Sequence, residues 1–297
     1  MEDTSPLGPP KRILLATDLS GSSDRALDRA TLLANHWDAE LHIVHALDTP
    51  AEPDHHGLPS WRRPPDNRDR VERQIRDDIR GNCPRLKIHL SESPPIAAIL
   101  DTIEQEQCDL VVVGLGRSRV FGWPPLGKTI NELFRRSPVS VLVVKKRPQG
   151  PYQRLLIGAD FSVEARSGLE AAARLFPQSE LHVMHAFELP YRALLLDSQL
   201  SRDFGEMERA SLREFVAEAD LPETARGRIQ TLIEHGPPEA MLSAYATERG
   251  ADLCVIGAYE RSLLFHTVVI GKGPRIVDAA PCDILVVRAT RDAQPRG

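Results

Sequence analysis

The stretch R-I-L-L-A-T-D-L-S at residues 12–20 recurs as R-L-L-I-G-A-D-F-S at residues 154–162, and this recurrence organises the whole sequence. Three further blocks return in the same order: E-L-H-I-V-H-A-L-D (40–48) as E-L-H-V-M-H-A-F-E (180–188), C-D-L-V-V-V-G (108–114) as A-D-L-C-V-I-G (251–257), and P-V-S-V-L-V-V (138–144) as P-C-D-I-L-V-V (281–287). All four blocks are separated by 140 to 143 residues, which is much longer than the unit of a solenoid. The chain therefore contains one domain written twice.

The length and composition agree with a two-domain globular protein. The 297 residues correspond to two domains of about 150 residues each, and 41% hydrophobic and 27% charged residues are ordinary values for a globular chain. Pro and Gly punctuate residues 147–152, which we predict to be the linker. We therefore expect one domain at 1–147 and a second at 152–297.

Short β-branched runs alternate with amphipathic patterns in each repeat, as in β-α-β units with a parallel sheet. Most of the runs are nearly continuous Ile, Leu and Val, which is typical of strands buried on both faces. In the first repeat, strands are predicted at 12–17, 40–46, 86–91, 109–114 and 140–145. The sequence therefore predicts an α/β fold: two tandem, doubly wound, Rossmann-like domains, each with a five-stranded parallel sheet.

The helices between these strands are also repeated. The first helix of each repeat has an apolar face at helical spacing, made of Ala26, Ala30, Leu33 and Trp37 in one case and Ala165, Leu169, Ala172 and Phe176 in the other. A narrow stripe at Val71, Ile75 and Ile79 predicts a surface helix. The Pro-rich segment 48–65 before it predicts a long mobile loop.

Charge and targeting signals exclude several classes of protein. The net charge is −5, from 42 acidic and 37 basic residues, so the basic excess of a nucleic-acid-binding domain is missing. No apolar run approaches the ~20 residues of a membrane span, and residues 1–12 do not resemble a signal peptide. The four cysteines never form C-x-x-C, and we expect a reducing, cytoplasmic location.

Suggestive residues follow the predicted strands at the edge where open α/β sheets bind ligands. Asp18 and Asp160 follow the first strands, His45 and His185 end the second, and Gly114 and Gly257 end the fourth. The fourth strands lead to Gly127-Lys128-Thr129 and Gly271-Lys272-Gly273. Glycine turns before a helix and a lysine beside them favour an anion site. The alternative is that the aspartates cap helices, the glycines make turns and the lysines are solvated.

Two further motifs carry less weight. G-W-P-P-L-G-K-T at 122–129 fits the P-loop pattern, but it lies seven residues after Gly114, and Pro124 and Pro125 lack the N–H groups that would bind phosphate. His42 and His45 lie three residues apart, so on one strand they point to opposite faces and cannot share a metal ion. His55 and His56 in the Pro-rich segment lack further ligands in their pattern, and we predict no metal site.

In these blocks the sequence resembles the universal stress protein family, specifically its tandem members with two such domains. The resemblance covers about 11–147 and 154–288, and its carriers include I-L-L-A-T-D-L-S, V-V-V-G-L-G-R-S with L-G-K-T, and P-V-S-V-L-V-V. It implies strand order 3-2-1-4-5 in each domain. It also implies pairing of domains through their fifth strands, here 140–145 and 283–288 within one chain, and a further homodimer of chains.

The resemblance also implies binding of ATP, with Mg²⁺, through a motif G-x-x-G, nine residues, then G-[ST]. The first repeat departs from this motif: Arg117 takes the second glycine position, Gly116 lies one residue early, and Lys128 precedes Thr129 after Gly127. In the second repeat Glu260 takes the second glycine position, Gly271 lies one residue late, and Lys272 is followed by Gly273 rather than a hydroxyl residue. A carboxylate near phosphates opposes binding by about 4 kcal/mol at 4 Å and an effective ε of 20, so the first repeat is the favoured site.

These expectations define a function and a set of candidate residues. We expect a cytoplasmic stress-response protein that binds an adenine nucleotide in a regulatory role, with at most slow hydrolysis and no catalytic residues. The alternative is a nucleotide-independent scaffold for a protein partner or another small ligand, and an enzyme is third. The candidate nucleotide contacts are Ala16, Asp18, His45, Gly114, Gly116, Arg117, Gly127, Lys128 and Thr129 in the first repeat, and Asp160, Gly257, Gly271 and Lys272 in the second.

Overall fold

The computed structural model describes residues 8–21, 23–47, 67–79, 83, 85–115, 127–188, 198–258 and 273–288. The Pro-rich segment 48–65, with His55 and His56, lies outside these residues. Within the described ranges no helix has both the length and the apolar character needed to cross a membrane.

Strands and helices alternate in both units, and the second unit has one additional short helix, Glu223–Arg226, before its third strand. The elements of the first unit are β1 (Arg12–Ala16), α1 (Ser23–Trp37), β2 (Glu40–Ala46), α2 (Asn67–Asp78), β3 (Leu86–Ser91), α3 (Pro95–Glu106), β4 (Leu110–Gly114), α4 (Lys128–Arg136) and β5 (Ser140–Val144). Those of the second are β6 (Arg154–Gly158), α5 (Val163–Leu175), β7 (Glu180–Phe187), α6 (Ser198–Glu218), α7 (Glu223–Arg226), β8 (Ile229–His235), α8 (Pro238–Arg249), β9 (Leu253–Ala258), α9 (Gly273–Ala279) and β10 (Asp283–Arg288).

These strands form one ten-stranded sheet in the order β3-β2-β1-β4-β5-β10-β9-β6-β7-β8. All pairs within a unit are parallel, and β5 and β10 join the units as an antiparallel pair. The predicted fold class and the order 3-2-1-4-5 are confirmed. The five strands predicted in the first repeat agree with the observed ones to within one residue at each end.

Alternating side chains of each strand enter two apolar layers, one on each face of the sheet. Ile13 and Leu15 of β1 pack with α1, α2, α5 and α6, whereas Leu14 packs with α3, α4, α8 and α9. Both layers contain residues of both units. Because both faces are covered, the strands need no polar alternation, which explains their continuous Ile, Leu and Val.

The predicted apolar helix faces lie in the first of these layers. Ala26 and Ala30 of α1 and Ala172 of α5 are fully buried, and their short side chains let both helices approach the sheet closely. In α2 only Val71 and Ile75 are buried, which matches the prediction of a surface helix with a narrow apolar stripe.

The antiparallel seam between β5 and β10 has a pseudo-twofold arrangement. Leu142 lies opposite Leu285 at its centre. Lys145, directly after β5, donates through Nζ to Val277 O and Ala280 O at the end of α9. The corresponding residue of the second unit, Arg288, donates through Nη2 to Phe134 O in the last turn of α4. Each unit thus places a cation on the C-terminal carbonyls of the other unit's last helix, where the helix dipole favours positive charge.

A buried carboxylate holds the linker against this seam. Asp283, 1% exposed, accepts hydrogen bonds at Oδ1 from the backbone N–H groups of Lys145 (2.8 Å) and Lys146 (3.0 Å) and at Oδ2 from Tyr152 Oη (2.7 Å). Arg29 Nε lies 3.5 Å from Asp283 Oδ2, and its guanidinium lies over the Tyr152 ring at 3.9 Å. Burial beside this carboxylate raises the pKa of Tyr152, which keeps the phenol protonated as a donor.

We predict that Asp283→Ala lowers the free energy of unfolding by about 3–5 kcal/mol, because it leaves the buried Arg29 guanidinium without its carboxylate. Urea denaturation followed by circular dichroism measures the change. The control is Glu72→Ala, which removes the exposed pair between Glu72 Oε1 and Arg76 Nη2 (2.7 Å) and should cost about 0.5 kcal/mol or less. Similar costs for the two variants would contradict a central role for Asp283.

Candidate functional site

The carboxyl ends of β1, β2 and β4 meet at one edge of the first unit. Ala16 pairs with Val44 of β2 on one side and with Val113 of β4 on the other. The chain continues this edge, since Thr17 N donates to Val44 O at 3.1 Å and Leu115 N donates to Val144 O at 3.0 Å. β1 is also the strand at which the direction of the crossovers reverses, so the predicted switch-point crevice lies between the chain segments that follow β1 and β4.

Asp18 organises the turn between β1 and α1. Its Oδ1 accepts hydrogen bonds from Ser20 N (3.0 Å), Ser20 Oγ (2.6 Å) and Ser23 Oγ (2.6 Å). Partial burial raises the pKa of this carboxyl, but the hydrogen bonds from Ser20 and Ser23 outweigh it and leave the pKa below its ordinary value. Leu19, held between them, has a left-handed backbone with φ of 58°. Asp18 is therefore an ionised, exposed carboxylate fixed at the mouth of the crevice.

His45 links the ends of β2 and β1. Its Nδ1 lies 3.0 Å from Thr17 O, so Nδ1 carries the proton and donates to this carbonyl. His185 makes the same bond to Ala159 O at 2.8 Å in the second unit. The repeated histidine thus has a structural task in both copies. His42, three residues earlier, has different partners, His89 and Glu40, so His42 and His45 do not come together.

Helix α4 is the element that follows β4 in the first unit, and its N-terminus carries three of the predicted site residues. Gly127 precedes its first residue, Lys128, and both are exposed; no side chain caps this end. The φ of Gly127 is −51°, which any residue adopts, and a Cβ placed there meets nothing within 4 Å. Neither backbone conformation nor packing requires this glycine. Because no described side chain caps this end, its first-turn N–H groups are available to an anion.

Several residues of the predicted phosphate loops lie outside the described residues. They are Gly116, Arg117 and residues 122–126 of the P-loop pattern in the first repeat, and Glu260, Gly271 and Lys272 in the second. Thr129 is described as the second residue of α4 and is half-buried.

The second unit has the same aspartate turn after its first strand, with different side chains around it. Asp160 Oδ1 accepts from Ser162 N (3.1 Å) and Ser162 Oγ (2.5 Å), and Ser162 Oγ accepts from Ala165 N as the N-cap of α5. Phe161, in a left-handed conformation with φ of 64°, stacks on His185 with ring centroids 4.2 Å apart. The Nε2 of His185 faces Glu208 Oε2 at 3.4 Å. Asp160 therefore holds the turn before α5, whereas the N-cap of that helix is Ser162.

Gly257 at the end of the second unit's fourth strand is needed for packing. A Cβ at this position would lie 2.0 Å from Glu164 O and 2.6 Å from Ala165 N in the first turn of α5. Gly168, one turn further along, faces the Gly257 backbone in turn. This close approach of helix and strand accounts for the glycine without a ligand.

A polar groove of about 930 Å³, which the sequence did not predict, lies beside the linker. Its lining includes Gly21, Arg25, Lys146, Arg147 and Asp252, from the start of α1, the linker and the start of β9. The groove is held in shape by polar contacts, among them Arg25 Nη1 to Lys145 O at 2.9 Å. The groove forms between segments about 120 residues apart in the chain, so the linear pattern carried no signal for it.

The fold defines a duplicated, doubly wound α/β protein whose first unit has its switch point at β1. The sequence model of the universal stress protein family matches residues 9–145 and again residues 151–288. The chain therefore belongs to the universal stress protein family and carries two copies of its domain.

Individual relatives agree with this assignment. A universal stress protein of Staphylococcus haemolyticus is 27% identical over 150 residues, which is 48% of this chain and 91% of that protein. The crystal structure of a universal stress protein from Pseudomonas aeruginosa aligns over 96% of this chain and 95% of its own, with a TM-score of 0.63 at 20% identity. One from Archaeoglobus fulgidus aligns over 94% and 98%, with a TM-score of 0.61 at 18% identity. Both structures share the two-unit fold.

Gly257 in strand β9 and Gly127 before helix α4 should respond differently to substitution. Gly257→Ala is expected to lower the free energy of unfolding by about 3 kcal/mol or more, because its Cβ would overlap the α5 backbone. Gly127→Ser should leave stability unchanged or raise it slightly, since the position is open and serine is a good N-cap. Chemical denaturation of both variants measures the contrast, and a harmless Gly257→Ala would show that ligand approach, not packing, selects this glycine.

Proposed function

We propose that this protein binds an adenine nucleotide, ATP with Mg²⁺, in the first unit, and that binding has a regulatory role in a cytoplasmic stress response. The observation that carries the proposal is the N-terminus of α4 at Gly127, which no side chain among the described residues caps, in the same unit as the ionised Asp18 that follows β1. An anion-binding helix end and a carboxylate suited to ribose hydroxyls are the two polar features that a nucleoside phosphate needs.

Each candidate residue then has a defined task. Lys128 would neutralise phosphate charge, the amides after Gly127 would donate to phosphate oxygens, and Thr129 would take the place of the family's small hydroxyl residue. Asp18 would accept from the ribose or base, and Ala16, His45 and Gly114 would form the floor where the strands end. Arg117 and Gly116 would complete the phosphate loop. None of these groups is a positioned general base, which favours binding over hydrolysis.

The second unit is proposed to be without nucleotide. Two features support this: the bulky Phe161, stacked on His185, replaces Leu19 in the turn after the first strand, and Gly257 is packed against α5. Asp160, Gly271 and Lys272 are therefore weaker candidates than their counterparts. We further propose that the units divide between residues 147 and 152 and that two chains associate as a homodimer.

Calorimetric titration of nucleotide-stripped protein with Mg·ATP is the test. One site per chain is expected, and ATP at ~100 times its dissociation constant should add ~2.7 kcal/mol of stability in thermal melting. Lys128→Ala should weaken binding about tenfold, corresponding to about 1.4 kcal/mol, because the ammonium group near the phosphates is lost. Lys272→Ala, the matched change in the second repeat, should leave binding unchanged.

A second variant distinguishes the loss of nucleotide binding from the loss of folding. Gly127→Leu places a side chain in the open space before α4 and should abolish binding while the melting temperature of the free protein is retained. Two equivalent sites would contradict the assignment to the first unit. No heat and no melting shift up to millimolar ATP would reject nucleotide binding altogether.

The linker groove favours a second candidate function, the nucleotide-independent binding of another small ligand. Arg25, Lys146 and Arg147 bring positive charge to a groove of about 930 Å³, with Asp28 and Asp252 at its sides. A ligand with both anionic and hydrogen-bonding groups fits this lining.

Thermal melting with inorganic phosphate and with citrate tests the groove. A shift in the wild type that Gly21→Leu abolishes would support groove binding, because a Cβ at Gly21 meets nothing within 4 Å and the added side chain would enter the groove. The ATP response should persist in this variant. A shift that Gly21→Leu leaves intact, or no shift, would reject the groove as a site.

A further inference from the structure

Two histidines and a glutamate converge between the edge of the first sheet and α3. His42 on β2 and His89 on the edge strand β3 point to the same face as Leu14, against which α3 packs. Nδ1 of His42 lies 3.1 Å from Nε2 of His89 and 3.7 Å from Oε2 of Glu106, the last residue of α3. All three ligand atoms lie within 4.8 Å of one another.

We propose that His42, His89 and Glu106 bind a divalent transition-metal ion of the Zn²⁺ class. Two imidazoles and one carboxylate are a ligand set that zinc takes, with a fourth position left to water. In a tetrahedral site with bonds of about 2.0–2.2 Å, neighbouring ligand atoms lie about 3.3–3.6 Å apart. The His42–His89 and His42–Glu106 separations, 3.1 and 3.7 Å, lie just outside either end of this range.

The surroundings of His42 fit a metal ligand. Its ring is fully buried, and its second nitrogen, Nε2, lies 3.4 Å from Oε2 of Glu40. A carboxylate that accepts from the distal N–H of a histidine fixes the ring and directs the other lone pair to the metal. Burial lowers the pKa of both imidazoles, which leaves them neutral at pH 7. His89 and Glu106 are only half-buried, so an ion can reach the cluster from solvent.

Proton positions allow the exchange of a hydrogen bond for a metal. Without an ion, Nε2–H of His89 donates to Nδ1 of His42, whose own proton is on Nε2 and faces Glu40. With an ion, His89 carries its proton on Nδ1, so both facing nitrogens offer lone pairs. Only the tautomer of one half-buried ring changes, and no proton leaves the two imidazoles.

The second unit retains half of this arrangement and lacks the rest. His182 and Glu180 correspond to His42 and Glu40, with Nε2 of His182 again 3.4 Å from Oε2 of Glu180. The position of His89 is taken by Leu232, and the position of Glu106 by Arg249. Nδ1 of His182 instead makes a 2.6 Å hydrogen bond with Tyr245 Oη. The ligand set therefore belongs to the first unit.

Lys87 is the competing cation at this site. Its Nζ lies 3.4 Å from Oε2 of Glu106 and 3.5 Å from Oε2 of Glu40. The side chain is 52% exposed, so it can move into solvent when a metal binds. The second unit, which lacks the ligand set, has the uncharged Gln230 at this position.

Titration of nucleotide-free full-length protein with Zn²⁺, and with Co²⁺ as a spectroscopic probe, tests the proposal. We expect one site per chain, a higher melting temperature with zinc, and visible d–d absorption of tetrahedral cobalt. His89→Leu, which copies Leu232 of the second unit, should lower zinc affinity at least tenfold and remove the cobalt bands. His235→Leu, a change to an exposed histidine on the other edge strand, should alter neither.

Further variants distinguish zinc binding at this site from zinc binding by other histidines and from a folding defect. Lys87→Gln should raise zinc affinity severalfold, because it removes the competing ammonium; a loss of affinity would contradict the geometry. Unchanged zinc binding in His89→Leu would overturn the proposal, as would loss of binding in a His55→Ala/His56→Ala variant that keeps His42 and His89. Because no nucleotide is present, these results are independent of the proposed nucleotide site.

Discussion

The antiparallel pairing of β5 with β10 is the constraint on which the rest of the structure depends. It turns two five-stranded sheets into one sheet of ten strands and removes two edges that would otherwise be open to aggregation. Because each unit's own strands are parallel, the pairing also makes the two halves of the sheet point in opposite directions. The two switch-point crevices consequently lie on opposite edges of the sheet. The carboxyl edge of the first unit continues as the amino edge of the second, and the linker groove forms at that junction.

The seam is symmetric in its apolar centre and asymmetric in its polar contacts. Ser140 and Asp283 occupy corresponding positions. Ser140 Oγ accepts from the backbone N–H of Arg288, the last residue of β10, and Asp283 Oδ1 accepts from those of Lys145 and Lys146, just after β5. Only Asp283 also faces Arg29 and Tyr152, so only the second unit's strand fixes the linker. A buried charge is tolerated here because each of its oxygens has partners. The contact between Asp283 and Arg29 also ties α1 to the seam, and the turn at Asp18 directly precedes this helix.

The predictable part of the molecule is the part governed by local pattern. Buried parallel strands must be apolar on both faces, so runs such as Leu110–Gly114 could be located from sequence to within a residue. Asp18 and Gly127 could be selected because they adjoin strand or helix ends. The reason for Gly257 was not visible, since its neighbour Glu164 is 93 residues away and meets it only through helix–strand packing. The cluster of His42, His89 and Glu106 was not visible from the spacing of histidines along the chain, because strand pairing and helix packing bring these residues together.

The two copies differ at the turn that follows their first strand, while they keep the contacts that hold the sheet. Both retain the histidine that ties the second strand to the first, the aspartate turn and the cation on the opposite helix end. The turn residue is Leu19 in one copy and Phe161, stacked on His185, in the other. Both side chains pack against the same apolar layer. The Phe161 ring therefore adds aromatic packing at the carboxyl end of the second unit's first strand, which Leu19 cannot supply in the first.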